Sequence, residues 1–145
     1  MSPEFQLTAT MMDKARVVQP RDILSVVARL APKSRGTNLA SFNGCTLGVA
    51  KFESHPLWER HPASDELLQV FDGELDLTVL TDSGAVEMTL RPGSVFVVPR
   101  GMWHSPRPRG SVSMMFMSND KGSEVSNRKD PRPDRPSKRK SRAPR

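Results

Sequence analysis

Four side chains able to bind a metal ion stand in two stretches that are well separated along the chain. WERHPASDE, at 58–66, holds Glu59, His61 and Glu66, and VVPRGMWHSPRP, at 97–108, holds His104. Residues two apart in a strand share a face, so Glu59 and His61 point one way and Arg60 the other. Glu66 opens the next apolar run and shares a face with Leu68 and Val70. If that face lines a barrel, the three groups point inward near one end. Imidazole with carboxylate suits Fe, Mn, Ni, Cu or Zn, and the lack of thiolates argues against a structural zinc site. Each histidine alone reads more simply as a solvated residue beside a turn. His55 has the parity of Glu59, but Pro56 interrupts the strand, so it reads as a surface loop residue. Asp65 reads as a turn residue.

The elements that must position these groups are mostly strands. The stretch 39–118 alternates apolar and polar residues with a period of two. FNGCTLGVAKF (42–52) reads as one bent strand. In 65–90, Leu75, Leu77 and Val79 form one alternating set and Val86, Met88 and Leu90 another, with tight turns expected at Asp72-Gly73 and Ser83-Gly84. SVFVVP (94–99) is apolar on both faces, as a strand between two packed layers would be, and SVSMMFMS (111–118) is a further strand. About seven short strands with no helix among them predict an all-β sandwich or barrel. Before it, PRDILSVVARLA (20–31) predicts a short helix with Ile23, Leu24, Val27 and Leu30 on one face, and PKSRGTN (32–38) breaks it.

The formal net charge of +6 lies at one end. Residues 121–145 carry ten basic and three acidic side chains, and the first 120 residues carry twelve and thirteen. The tail has Val125 as its one aliphatic residue besides alanine, so residues 119–145 are expected to be disordered, and 121–145 to be dispensable for stability and metal content. Its basic run has no aromatic residue to stack on bases, which leaves at most non-specific nucleic-acid binding. The single cysteine rules out an internal disulfide. Neither a signal peptide nor an apolar run of membrane-spanning length is evident, so a cytoplasmic protein is expected. MSPEF at 1–5 resembles a cloning scar.

The two stretches resemble the motifs of the cupin family of small jelly-roll barrels. In the first, ERHPASDELLQVFDG places His61 at the motif's second histidine, Glu66 at its glutamate and Gly73 at its closing glycine. In the second, Gly93, Pro99, Gly101 and His104 match in spacing. Glu59 stands in place of the first histidine, Glu53 in place of the opening glycine and Pro108 in place of the final asparagine. The resemblance implies a single jelly-roll barrel at 39–118, preceded by an extension at 1–38. It implies a divalent transition metal (Fe, Mn, Ni or Zn) on His61, Glu66 and His104. Glu59 is either a fourth ligand, which favours Mn or Fe over Cu, or a group that orients a histidine. Trp58, Trp103 and Arg60 become candidates for a substrate pocket, with rim packing as the alternative for the tryptophans. The implied partners are a small molecule and a second copy of the chain, with residues 5–19 adding to a neighbour's sheet. The function is then a metal-dependent dioxygenase, isomerase or lyase, or a non-catalytic ligand-binding cupin; the fold does not choose between them.

Overall fold

The computed structural model describes residues 19–133, Pro56 excepted. Residues 1–18, including nearly all of the segment expected to join a neighbouring sheet, lie outside the described residues, as do 134–145. Among the described residues one helix, α1 (Ile23–Arg29), precedes eight strands: β1 (Lys33–Phe42), β2 (Cys45–Phe52), β3 (Trp58–Arg60), β4 (Glu66–Thr81), β5 (Gly84–Leu90), β6 (Val95–Val98), β7 (His104–Ser118) and β8 (Glu124–Ser126). The all-β architecture expected from the alternation is present as one curled sheet.

The helix is shorter than the expected 20–31. Asp22 rather than Pro20 starts it, its carboxylate accepting from the Ser25 amide at 3.1 Å. Of its apolar residues Val27 is buried, whereas Leu24 faces outward. The helix ends before the polar stretch 32–38, as expected, and from Lys33 that stretch continues as the first part of β1. Among the described residues β1 pairs with β2. An edge strand is not obliged to alternate, which is why its sequence hides it. FNGCTLGVAKF is the end of one strand and the whole of another. Asn43 and Gly44 both take positive φ, 48° and 76°, as a two-residue type I′ hairpin turn requires.

β4 and β7 form the axis of the barrel. They pair antiparallel from Leu67↔Met117 to Val79↔His104. β2 lies on the other edge of β7, and β6 and β5 lie on the other edge of successive halves of β4. Asp72-Gly73, expected to turn the chain, instead forms a bulge inside β4, with register shifts on both sides of Asp72. Its effect is to reverse parity. Before it the even residues Leu68 and Val70 are buried, and after it the odd residues Leu75, Leu77 and Val79. Both halves thereby feed one core, completed by Ala50, Leu90, Val98, Val112 and Met114. β6 is also not sandwiched as expected. Val95 and Val97 are 59% and 48% exposed, because β6 covers the core with one face, through Phe96 and Val98.

The expected disorder of 119–145 fails for 119–133. β8 pairs with β3 through Trp58↔Ser126, Glu59↔Val125 and Arg60↔Glu124. Further on, Arg132 donates to the Thr81 carbonyl at 3.1 Å and Pro131 is buried. Backbone pairing and ion pairs hold the segment, and Val125 is 67% exposed. Counting apolar side chains therefore missed it.

Gly73 has φ of 80°, and a Cβ there would lie 2.1 Å from the Ser111 carbonyl oxygen. Gly73→Ala is expected to destabilise the fold by at least about 2 kcal/mol in denaturant unfolding. Gly93→Ala meets nothing within 4 Å and carries the backbone strain alone, so it should cost about 1 kcal/mol.

Candidate metal centre

The four residues singled out by type and spacing come together. Glu59 is the cross-strand partner of His104. His61 follows β3, and its carbonyl accepts from the Gly101 amide at 2.9 Å, which ties the 99–103 turn to it. Glu66 opens β4 opposite Val98 of β6, the strand that leads into the same turn. Pro99 and Gly101 bend the chain there, and the Trp103 carbonyl accepts from the Leu80 amide at 2.8 Å as His104 enters β7. One ligand atom from each of Glu59, His61, Glu66 and His104 lies within 4.8 Å of the others. Donors about 2.0–2.2 Å from a shared ion stand up to about 4.4 Å apart, so little contraction would close the group on a cation.

The polar geometry suits such an ion. His104 is fully buried, and its Nδ1 is 3.0 Å from the Met102 carbonyl, to which it donates. His61 Nδ1 is 2.8 Å from Ser123 Oγ. Both rings thus turn Nε2 toward the carboxylates, His104 Nε2 to Glu66 Oε2 at 2.8 Å and Glu59 Oε1 at 3.4 Å, and His61 Nε2 to Glu66 Oε1 at 3.4 Å. Yet both Nε2 atoms and Glu66 Oε2 are buried without an aligned hydrogen bond. Close donors that do not point at one another are arranged around a common centre. Two neutral imidazoles and two carboxylates balance a divalent cation, and this donor set suits Mn, Fe, Ni or Zn.

Without an ion the cluster must be neutralised by protons. Burial opposes the charged form of His104, but the Glu59 and Glu66 carboxylates prevail and push it up to about 10. Burial likewise opposes ionisation of Glu66, and His104 and His61 hold its carboxyl below the ordinary range. Glu59 is held well below that range, against its own burial, by His104 and His55. For His61 burial is again the opposing effect, and Glu66 raises it.

His55 is not a free loop residue. Its Nε2 is 3.5 Å from Glu59 Oε2 and its ring packs edge-on against Phe52 at 6.1 Å. Its parity with Glu59 was the available signal. Ser123 had none, because it comes from the segment read as disordered. Asp65 is the expected turn residue, accepting from the Arg100 amide at 2.8 Å. The structure does not bring Trp58, Arg60 and Trp103 into the cluster. Trp58 and Arg60 alternate with Glu59 in β3, and Trp58 is buried. Arg60 pairs with Glu124 and lies over the Trp103 ring, 5.3 Å from its centroid. Arg60 thereby anchors the strap formed by β8, with Trp103 behind its guanidinium.

Residues 48–118 match the cupin domain family. They form a cupin domain. The chain is 27% identical over 107 residues to germin-like protein subfamily 2 member 4 of Arabidopsis thaliana, covering 70% of this chain and 49% of that protein. It thus spans about half the length of that curated relative. Among solved structures, a cupin-2 domain protein of Shewanella frigidimarina superposes with a TM-score of 0.60 at 21% identity, covering 72% of this chain and 96% of that one. A hydroquinone 1,2-dioxygenase of Sphingomonas sp. superposes with a TM-score of 0.54 at 21% identity, covering 67% and 71%. At such identities the likeness is one of fold. Among the described residues no helix is long and apolar enough to cross a membrane.

The ion pairs set the pH response of the metal-free protein. His104 is raised from 6.5 to about 10, so its contribution is complete below 6.5 and is lost as pH rises through 10. Glu66 and Glu59 are lowered from 4.5, so theirs is complete above 4.5 and lost on acidification. Thermal unfolding of metal-free protein should therefore show greatest stability between 4.5 and 6.5, with a fall on the alkaline side that His104→Gln reduces and that His61 and His55, also raised, sustain in part.

Proposed function

We propose that this cupin is a metal-dependent protein acting on a small oxygen-bearing molecule. In this reading Glu59, His61, Glu66 and His104 hold a divalent Mn, Fe, Ni or Zn ion. The observation that carries it is the convergence of two Nε2 atoms and two carboxylates, with the nitrogens and Glu66 Oε2 buried yet lacking aligned hydrogen bonds. When bound, the ion supplies a Lewis acid or redox centre of the kind used by dioxygenases, isomerases and lyases.

The chain's own groups do the rest. The Met102 carbonyl and Ser123 hold the two rings with Nε2 inward. Glu59 is the more exposed of the two carboxylates, at 22% against 7% for Glu66. It therefore stands on the side from which a small molecule reaches the centre, and His55 steadies its second oxygen.

The test is elemental analysis of protein purified without a metal-affinity tag, followed by titration with Mn, Fe, Ni and Zn. His61→Ala and His104→Ala should each weaken binding by more than about 100-fold, beyond the loss that a supporting group produces. Binding should also release protons, so affinity should rise with pH. Wild type that binds none of these ions more tightly than the double mutant refutes the reading. Turnover of a small ligand then separates an enzyme from a binding module, which saturates without consuming it.

We also infer a homodimer. Val95 and Val97 are exposed side by side on β6, an edge strand among the described residues, and such an edge favours association. Sedimentation velocity should give a dimer that Val97→Lys weakens; a monomer at micromolar concentration refutes it.

A further inference from the structure

We propose that Ser123 is a positioning residue for the metal centre, supplied by a strap that lies beyond the cupin domain. The inference rests on the metal reading above and adds to it a dependence on residues 119–126.

A histidine that ligates through Nε2 must keep its proton on Nδ1, and whatever accepts that proton fixes both tautomer and ring orientation. The two histidines here meet the requirement differently. His104 uses the Met102 carbonyl, within its own turn. His61 has Ser123 Oγ at 2.8 Å, 62 residues away in sequence. The family match ends at residue 118, so the acceptor for His61 comes from a segment outside it.

Ser123 does not reach this position by chance contact. The Asn119 amide donates to Ser64 Oγ at 2.7 Å, fixing the start of the strap beside the 61–65 turn. The Lys121 amide donates to Asn119 Oδ1 at 2.9 Å and the Ser123 amide to the Asp120 carbonyl at 3.1 Å, closing a turn. Gly122 takes φ of 71° and lies against Pro62. Immediately after, β8 pairs with β3 on both sides of Glu59, and Glu124 pairs with Arg60. The strap is therefore held on each side of Ser123 by the strand and turn that carry Glu59 and His61. Val125 faces solvent, so the strap adds little to the apolar core. Its hydroxyl on His61 is what it contributes to the centre.

The experiment compares Ser123→Ala and Ser123→Thr in the full chain by Mn(II) and Zn(II) competition against a chelator. Ser123→Ala should weaken binding by about 10–100-fold, with Ser123→Thr within about threefold of wild type. Metal-free melting should not change. Affinity unchanged in Ser123→Ala, or a loss matched by a fall in metal-free melting and not recovered in Ser123→Thr, overturns the inference. A second readout needs no metal. The His61 Nδ1 proton should exchange slowly in the NMR spectrum of wild type and Ser123→Thr, and rapidly in Ser123→Ala. No protected proton in wild type also overturns the inference. If wild type binds no metal, the functional reading fails and this proton decides the role of Ser123 separately.

Discussion

A buried carboxylate beside a buried imidazole is the constraint around which the molecule is arranged. Glu66 and His104 are almost wholly withdrawn from solvent and 2.8 Å apart. Removing one member of a buried charged pair costs on the order of 3–5 kcal/mol, because the other is left unsolvated. The two are therefore mutually obligatory in the metal-free chain. Glu59 lies on the same nitrogen and His61 on the same carboxylate, and the two Nε2 atoms and Glu66 Oε2 are left without an aligned hydrogen bond. A divalent cation answers the same electrostatic need with all four groups at once.

That cluster exists because the barrel keeps its parity. β4 runs for 16 residues along β7, and without the bulge at Gly73 one half of β4 would turn its apolar face to solvent. The bulge lets Glu66, Leu68 and Val70 face inward together with Leu75, Leu77 and Val79. Glycine is needed there because the backbone is in the left-handed region and the Ser111 carbonyl occupies the place of a side chain. The same residue closes the first cupin motif. Its spacing from Glu66 is thus the distance from the inward-facing carboxylate to the point where the strand changes phase.

The outer side of β3 shows how a polar segment becomes part of a fold. Residues 119–133 bury almost no aliphatic surface, yet they add a strand, two charged anchors and a hydroxyl on His61. Arg60 and Trp103 serve this outer side. The alternation that sends Glu59 inward sends Arg60 out, so the guanidinium meets Glu124 and the indole instead of the cluster.

Local spacing by itself determined the β class, the alternation within β4 and β5, and the identity of the four candidate ligands. Each of these depends on a period of two or on a fixed number of residues between turn-forming Gly and Pro, and both are properties of neighbouring residues. The hairpin at Asn43-Gly44 is equally local, since that pair marks a type I′ turn. Other features were decided only by the tertiary structure. Whether Asp72-Gly73 turns the chain or bulges depends on β7 continuing alongside it. Whether β6 is covered on both faces depends on which strands lie over it. Whether Ser123 matters depends on His61, 62 residues away in sequence, and whether His55 matters depends on how the chain between it and Glu59 is bent. Backbone pairing and single hydrogen bonds to a distant ring leave no periodicity in a sequence, because they use groups that every residue has or a hydroxyl that any loop offers.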